Sequence, residues 1–279
     1  MDKARGTLLM ILPCLIICSL VIRCAKTEVH VLKMATTTST DNTGLLDYLK
    51  PRIKSDTSID LQWIAVGTGR ALELGKNCDV DLLMVHAPNA EMKYIEDGYG
   101  IDRNEIMYND FIIVGPREDP ANIKGKSIKE AFSQMWKNKT LFVSRGDDSG
   151  TNRKEIMLWE NAGLRIPDKE QWYIQTGQGM MNTINITLER KAYTITDRAT
   201  FIKYESNQKG NPLLTILLED QKALINQYSI IAVNPAKCPD VKYELVKKII
   251  IWLTSPMAQK LIGDFRLLDK RLFIPNSRK

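Results

Sequence analysis

The stretch Val29-His-Val-Leu-Lys-Met-Ala-Thr-Thr-Thr-Ser-Thr-Asp-Asn-Thr-Gly-Leu-Leu46 contains the unit that decides the fold. Its apolar start, Val29 to Met34, predicts a strand. A helix is predicted next, because apolar residues then recur at helical spacing, at Leu45, Leu46, Leu49 and Ile53. Pro51 predicts a kink or an early end of that helix.

The same alternation of strand and helix continues along the chain. Further strands are predicted over 59–66, 80–85, 140–143 and 193–196, and further helices over 67–74, 151–161 and 241–253. Alternation of this kind builds βαβ units. The sequence therefore predicts an α/β fold with mixed, mostly parallel sheets that are flanked by helices.

Two segments resemble each other and indicate two lobes. Residues 108–116 and 228–235 each consist of a tyrosine, an apolar strand and a closing proline, as expected of strands that cross from one sheet to another. Two crossings would place 28–111 plus 228–279 in lobe 1 and 112–227 in lobe 2, with a ligand cleft between them. The alternative is a single doubly wound sheet with two similar edge strands.

The N-terminal residues 1–24 are typical of a secretory signal. A short basic head precedes an apolar run from Thr7 to Ile22, which is shorter than the about 20 residues of a membrane-spanning helix. An uncleaved anchor is the alternative, and Cys24 could carry a lipid, although Arg23 stands before it. Either way, we expect the working protein outside the cytoplasm, in the periplasm or on the outer face of the membrane.

Two cysteines, Cys78 and Cys238, remain after the leader. They could pair in an exported protein, but one pair does not make a disulfide scaffold. The sequence leaves this pairing open.

Composition excludes several classes of function. Charged residues make up 26% of the 279 residues, which argues against disorder and against a polytopic membrane protein. With His30 and His86 as its two histidines, the chain cannot build a multi-histidine metal site. A net charge of +6 is too small for a nucleic-acid footprint but suits a small anionic partner, and we expect a monomer.

Residues 36–40 all carry hydroxyl groups and stand between the first strand and its helix. The N-terminus of a helix offers free N–H groups and a positive dipole end, and hydroxyls there add uncharged donors, so the segment suits an oxyanion. A cluster of helix caps is the alternative, but one cap needs one such residue. We predict Thr37, Thr38 and Ser39 as ligands, with Thr36 as a second-tier candidate.

The second strand ends in a similar motif, Val66-Gly-Thr-Gly-Arg70. Its two glycines let the backbone come close to a ligand. Such turns are common, and this one gains weight because it repeats the arrangement of the first strand end. Thr68 and Gly69 are predicted as ligands, and Gly67 as a second-tier candidate.

The segment 144–151, Ser-Arg-Gly-Asp-Asp-Ser-Gly-Thr, combines a fixed cation, hydroxyls and glycines before a predicted helix. Arg145 can give an oxyanion two parallel hydrogen bonds. Asp147 and Asp148 would orient Arg145, cap the helix or contact the opposite lobe. The predicted ligands from this segment are Ser144, Arg145, Ser149, Gly150 and Thr151.

Two more strand ends carry small or hydroxyl-bearing residues, at 176–180 and 193–198. They add Gly179 and Thr194 as second-tier candidates. The sequence has no dinucleotide or phosphate-loop fingerprint and no metal-ligand spacing, so we expect no cofactor and no metal.

Five segments together resemble the tungstate-binding proteins of bacterial ABC importers. They are 35–46, 65–69, 79–88, 107–111 and 144–151, and the likeness runs from about residue 29 to the C-terminus. The resemblance implies a two-lobed type II periplasmic-binding-protein fold that closes on one tetrahedral oxyanion and delivers it to a membrane permease. It also implies that Thr36 to Ser39 supply donors, that Thr68 sits at the second turn, and that Ser144 and Arg145 face them.

The chain departs from the family at Asn152, where a histidine is common, and at Arg23 before Cys24. Molybdate is the nearest alternative ligand, since it is also a tetrahedral dianion, and another tetrahedral oxyanion is possible. From a different class, the alternative is an extracytoplasmic hydrolase that uses Ser144 or Ser149, with His30 or His86 as the base. A structural role is expected of His86.

Overall fold

The computed structural model describes residues 29–209, 211–219 and 222–277. The predicted leader, residues 1–24, lies outside the described residues. In the described part of the chain, no helix is both long enough and apolar enough to cross a membrane.

The N-terminal part alternates strands and helices as the sequence predicts. Its elements are β1 (His30–Thr37), α1 (Thr38–Asp41), α2 (Leu45–Thr57), β2 (Ile59–Val66), α3 (Thr68–Lys76), β3 (Leu82–Val85), α4 (Pro88–Glu96) and β4 (Gly100–Pro116). The early end expected at Pro51 is wrong, because α2 continues to Thr57. Burial of Leu45, Leu46, Leu49 and Ile53 outweighs the hydrogen bond that proline removes.

The remaining elements begin with α5 (Ile128–Lys137), β5 (Phe142–Ser144), α6 (Gly150–Asn161), β6 (Tyr173–Gln175), α7 (Met180–Glu189), β7 (Thr194–Asp197), α8 (Arg198–Asn207) and β8 (Leu214–Leu218). After a 3₁₀ turn (Lys222–Leu224) come β9 (Ile225–Val233), α9 (Tyr243–Thr254), α10 (Pro256–Asp264), β10 (Arg266–Leu267), β11 (Lys270–Arg271) and β12 (Ile274–Pro275). The predicted helix over 151–161 is confirmed with a start one residue earlier.

The main sheet has the strand order β12-β4-β9-β3-β1-β2. Strand β1 pairs in parallel with β2 and β3, and β5 pairs in parallel with β6. Strands β4 and β9 pair antiparallel with all their neighbours in the described residues. The sheet is mixed, as predicted, and its antiparallel share is larger than predicted because of these two long strands.

Strand β4 runs from one sheet region into another. Its residues 100–110 pair with β9, and its residues 111–116 pair with β7 and β8. Strand β4 therefore connects two regions of one eight-stranded sheet, whereas β9, which holds most of the segment 228–235, pairs in the described residues with β3 and β4. The chain returns at the start of β9, directly after the buried Leu224.

The buried apolar side chains divide by sequence into two groups. The terminal core takes its residues mainly from 32–107 and 228–273, and the central core takes its residues from 111–224. Helix α8 contacts both: Ala199 and Ile202 pack in the terminal core, whereas Phe201 and Tyr204 pack in the central core. Helix α8, which directly follows β7, therefore lies at the boundary between the two cores.

A disulfide closes the terminal core. Cys78 follows α3 and Cys238 follows β9, and their Cα atoms are 5.4 Å apart. The two residues are 160 positions apart in the chain, so the fold alone brings together a pair that the sequence left open.

Candidate oxyanion-binding site

The first strand end forms a cluster of hydroxyl groups. Thr37 is the N-cap of α1, and its Oγ1 accepts a hydrogen bond from the Thr40 N–H at 3.2 Å. The same oxygen lies 2.7 Å from Thr40 Oγ1 and 3.1 Å from Ser39 Oγ. Thr37 and Thr40 are buried, whereas Ser39 is half-buried and Thr38 is exposed. Within the cluster, Thr38 and Ser39 are therefore the residues that can reach a ligand.

His86, which directly follows β3, completes this cluster. Its Nε2 lies 3.0 Å from Thr37 Oγ1 and 3.1 Å from Ser39 Oγ, and its Nδ1 lies 2.9 Å from Asn226 Oδ1. Burial lowers the pKa of His86, against the hydrogen bond with Asn226 and the carboxylate of Asp197, so the imidazole is neutral near pH 7.

Sequence reasoning missed this role of His86. The chain separation between Thr37 and His86 is 49 positions. The available signal was that His86, like Thr37, follows a strand of the predicted parallel unit, and parallel strands end at one edge of a sheet.

The loop after β5 is organised around a buried carboxylate. The Ser144 hydroxyl, 0% exposed, donates to Glu155 Oε2 at 2.5 Å, and its oxygen accepts from Asn152 Nδ2 and from the Gly146 N–H. Burial raises the pKa of Glu155, against the hydrogen bonds that it accepts from Ser144, Tyr173 and Trp159. Because its proton is already donated, Ser144 supports the loop and does not point a donor at a ligand.

Arg145 projects from this loop as a half-buried cation. Its Nε lies 3.1 Å and its Nη2 lies 2.5 Å from Asp147 Oδ2. Gly146 has a φ of 58°, and a Cβ atom there would lie 2.8 Å from the Cβ of Gln175, so the turn beside Arg145 requires glycine.

The two acidic residues of the loop have separate roles. Asp147 orients Arg145 and also accepts the Ser149 N–H. Burial would raise the pKa of Asp147, but the hydrogen bond with Ser149 and the charge of Arg145 lower it overall. Asp148 pairs with Arg153 instead. The N-cap of α6 is Ser149, so neither aspartate caps the helix.

A polar cleft of about 430 Å³ brings part of the predicted set together. Four predicted residues line it: Thr38, Ser39, Arg145 and Gly179. The other lining residues were not predicted as ligands, and they are Asn42, Met180, Met181, Asn182, Asp197, Ala199, Thr200 and Lys203. The cleft thus lies between the α1 N-terminus and the N-terminal ends of α7 and α8.

Two of the missed residues carry charge. Asp197 is the N-cap of α8, and both its carboxylate oxygens bond Thr200, one to the N–H and one to the hydroxyl. Lys203 Nζ donates to the carbonyl of Asn42 and so connects α8 with α1. The N-cap role of Asp197 could have been found from its place before a helix. The contact of Lys203 has no signal in the sequence.

The structure places the other predicted residues outside this cleft. Thr36 donates to the carbonyl of Met84 at 2.9 Å, and Thr194 donates to the carbonyl of Val143 at 2.6 Å, so both hydroxyls have structural partners. Gly67 is the N-cap of α3, and as a glycine it makes no side-chain hydrogen bond to the helix. Thr68 and Gly69 are the first two residues of that helix and lie at the surface.

At the start of α6, Gly150 and Thr151 do not line the cleft, and Gly150 lies beside His86. A Cβ atom at Gly150 would lie 3.6 Å from His86 Cε1. Gly150 and His86 also line a second cavity of about 410 Å³, which Lys154 borders. Burial lowers the pKa of Lys154 to about 8.

The serines named as possible nucleophiles are both engaged in structural hydrogen bonds. Ser144 is buried against Glu155, and the Ser149 oxygen accepts the Asn152 N–H as a helix cap. The His86 imidazole bonds Thr37 and Ser39 instead. Among the described residues, no group of three or more His, Cys, Asp or Glu side chains could hold a metal ion.

Comparison with known proteins agrees with this architecture. Residues 25–257 match the family model described as a PBP superfamily domain. The tungstate-binding protein TupA of Campylobacter jejuni is 49% identical over 240 residues, which cover 86% of this chain and 89% of that protein. TupA of Peptoclostridium acidaminophilum is 41% identical over 251 residues, with 88% and 86% covered.

A solved structure extends the likeness to three dimensions. The tungstate-binding protein TupA from Desulfovibrio alaskensis G20 has a TM-score of 0.87 and 54% sequence identity, and the match covers 90% of this chain and 100% of that chain. On the family model and these relatives, the chain belongs to the periplasmic-binding-protein superfamily and, within it, to the family of tungstate-binding proteins.

Proposed function

We propose that this protein captures tungstate outside the cytoplasm and delivers it to the membrane permease of an ABC importer. The observation that carries the proposal is the cleft in which the uncharged donors of Thr38 and Ser39 lie opposite the Arg145 guanidinium. The names of the tungstate-binding relatives, at 49% and 41% identity, support tungstate as the ligand.

The chemistry of the cleft suits a tetrahedral dianion. Backbone N–H groups at the start of α1 and hydroxyls beside them donate without adding charge, while Arg145 supplies a fixed positive charge and the Lys203 ammonium and the Asp197 carboxylate line the same cleft. A serine or threonine hydroxyl and a guanidinium together fit an anion that accepts hydrogen bonds on all four oxygens. The protein acts as a receptor and carries out no chemical step on the ion.

We propose direct contact with the ion for Thr38, Ser39 and Arg145. Thr68, Gly69, Gly150 and Thr151 would join them when the lobes close, with Gly67 and Gly179 near the ligand. Thr36, Thr37, Ser144, Ser149 and Thr194 would hold these donors in place, since their side-chain oxygens already have protein partners.

Two lobes would close on the ion: lobe 1, residues 28–111 plus 228–279, and lobe 2, residues 112–227. The buried cores, which divide at nearly the same positions, support this division. Helix α8 would move relative to one of the cores, because its side chains pack in both.

Export, attachment and assembly belong to the same proposal. The leader 1–24 would direct export, Cys24 would be the point of lipid attachment, and the receptor would work as a monomer. The Cys78–Cys238 disulfide supports an oxidising compartment.

Titration calorimetry with tungstate, molybdate and sulfate on one protein sample tests the function. We expect tight binding of tungstate and weaker binding of sulfate, whose bonds are shorter. At about 1,000 times its Kd, tungstate should add about 4 kcal/mol to the free energy of unfolding. Preference for molybdate would change the ligand within the class, and binding of sulfate alone would overturn the assignment.

A further inference from the structure

We propose that His86 is a positioning residue that sets the direction of the hydroxyl protons at the ligand site, an inference that rests on the proposed function. The evidence for this role is a chain of hydrogen bonds that runs from Asn109 through Asn226 and His86 to Thr37 and Ser39. His86 does not line the 430 Å³ cleft, so it acts through the two hydroxyls that it contacts.

The proton of the neutral imidazole is placed by Asn226. The Asn226 amide nitrogen donates to Asn109 Oδ1 at 2.8 Å and to the Tyr228 hydroxyl at 3.2 Å. Its carbonyl oxygen therefore faces His86 Nδ1, at 2.9 Å, and can only accept. The proton of His86 sits on Nδ1, which leaves Nε2 as a bare acceptor toward Thr37 and Ser39.

The direction of the remaining protons follows from the buried Thr40. Within the described part of the chain, Thr37 Oγ1 is the hydrogen-bond partner of the Thr40 hydroxyl, at 2.7 Å. Thr40 must donate along this contact, because its proton would otherwise be buried without an acceptor. Thr37 Oγ1 thus accepts from the Thr40 hydroxyl and N–H, and it has one proton of its own to donate.

His86 Nε2 provides the acceptor for that proton. When Thr37 donates to Nε2 at 3.0 Å, the Ser39 hydroxyl is free to turn its proton into the cleft, which Ser39 lines. Without this acceptor, the remaining partner for the Thr37 proton among the described residues is Ser39 Oγ, at 3.1 Å, and that contact would hold the Ser39 hydroxyl toward Thr37. Ser39 Oγ also lies 3.1 Å from Nε2, so in the ligand-free protein either hydroxyl can donate to His86, and a bound oxyanion would take the Ser39 proton while Thr37 donates to Nε2.

Packing alone is the competing explanation for His86. Its ring stacks on Tyr228, with centroids 4.7 Å apart and planes at 21°. Two substitutions separate the explanations. His86→Gln keeps a hydrogen-bonding atom near the position of Nε2, whereas His86→Asn keeps one near the position of Nδ1 and leaves Thr37 without its acceptor.

Tungstate titration of both variants is the main test. We expect His86→Asn to weaken binding about 2- to 10-fold and His86→Gln to retain most of the wild-type affinity. His30→Gln, at the exposed start of β1, is the matched control and should bind as the wild type does. Equal affinity losses in both His86 variants would indicate packing and overturn the inference.

A double-mutant cycle adds a second readout. His86→Asn combined with Ser39→Ala should lose less affinity than the two single losses together, because both act on the same proton. His86→Asn combined with Thr68→Ala, which shares no hydrogen bond with His86 among the described residues, should show additive losses. Additive losses in the first pair would contradict a role through Ser39.

Nitrogen-15 NMR of the wild-type imidazoles tests the proton placement without any substitution in the site. The chain has two histidines, so His30→Gln is enough to assign the His86 signals. We expect His86 to be neutral, with its proton on Nδ1. A proton on Nε2 would overturn the inference even if the variants fail to fold. Failure of the wild type to bind tungstate would instead overturn the proposed function, and the inference with it.

Discussion

The two walls of the cleft differ in charge. The wall at the start of α1 presents Thr38 and Ser39, whose uncharged hydroxyls belong to a cluster that includes Thr37 and the neutral imidazole of His86. The facing loop presents Arg145, which the structure pairs with Asp147. Uncharged donors on one wall and a carboxylate-oriented cation on the other therefore line a single cleft, to which helix α8 and its N-cap add one charge of each sign, at Lys203 and Asp197.

This difference indicates which wall sets which property of the receptor. Hydroxyl and N–H donors select an anion by its size and geometry. They can bind any charge state of the anion whose oxygens offer lone pairs. A guanidinium favours the fully ionised form, and a planar pair of donors adds direction. We therefore expect the α1 wall to set the fit and the Arg145 wall to set most of the electrostatic affinity.

Removal of the charge should have the largest effect. Arg145→Ala should weaken tungstate binding about 10- to 150-fold, which corresponds to the about 1.5–3 kcal/mol of a hydrogen bond to a charged group. Arg145→Lys should recover only part of the loss, because an ammonium cannot make the planar two-pronged contact. Calorimetric titration of the two variants measures both changes.

Arg153→Ala is the matched control for this prediction. Arg153 also pairs with an aspartate of the same loop, Asp148, but it does not line the 430 Å³ cleft. The Arg153→Ala variant should bind tungstate with nearly wild-type affinity. If Arg145→Ala lowered the melting temperature of the ligand-free protein but kept its affinity, Arg145 would serve its own loop, and the contrast between the walls would disappear.

The buried carboxylate beneath the Arg145 wall predicts a pH dependence of stability. Burial raises the pKa of Glu155 in the folded protein, so the folded state holds its proton to higher pH than the unfolded state does. The stabilisation is complete below the ordinary pKa of a glutamic acid and is lost as pH rises through the folded pKa. A tenfold difference in proton affinity between the folded and unfolded states corresponds to about 1.4 kcal/mol of free energy.

Glu155→Gln removes this titration and tests the prediction. Melting temperatures of the wild type and the variant, measured in parallel from acid to neutral pH, should change relative to each other. The wild type should lose stability against the variant as pH rises above the usual range for glutamate. Parallel curves would show that the buried carboxylate does not change its protonation in this window.

Single uncharged donors should have the smallest effects on binding. Ser39→Ala or Thr38→Ala should cost about 0.5–1.5 kcal/mol of tungstate affinity if the backbone donors remain, about 2- to 13-fold. Thr36→Val is the matched comparison, because Thr36 donates to Met84 and does not line the cleft. Thr36→Val should lower the free energy of unfolding by about 1 kcal/mol and weaken tungstate binding less than either alanine variant does.

The result would be reversed if Thr36 were a ligand. In that case Thr36→Val would weaken tungstate binding and Thr38→Ala would not. Titration and thermal melting of the same three variants distinguish the two outcomes.

The sequence predicts the fold and the location of the site because both depend on local patterns. Strand β2 has the bounds that its apolar run predicts, and the polar segments 36–40 and 144–151 begin within the last residues of β1 and β5. Helix N-termini and hydroxyl-rich strand ends can be recognised from neighbouring residues alone. These patterns therefore place the α1 end and the Arg145 loop among the candidate binding segments.

The role of each hydroxyl could not be predicted in the same way, because it depends on partners that are distant in the chain. Thr36 bonds a carbonyl 48 positions away, and Ser144 bonds a carboxylate 11 positions away, on the following helix. Adjacent threonines in one motif thus have different tasks, and His86 joins the cluster across 49 positions. Only the fold determines which hydroxyl protons are free.

The central claim is that both walls bind one tungstate ion. A crystal structure of the protein soaked or co-crystallised with tungstate, with an anomalous difference map at the tungsten absorption edge, tests it directly. We expect one strong peak in the cleft, with oxygens of the ion within hydrogen-bond distance of Ser39 or Thr38 on one side and of Arg145 on the other. A peak bonded to one wall alone, or located outside the cleft, would contradict the claim.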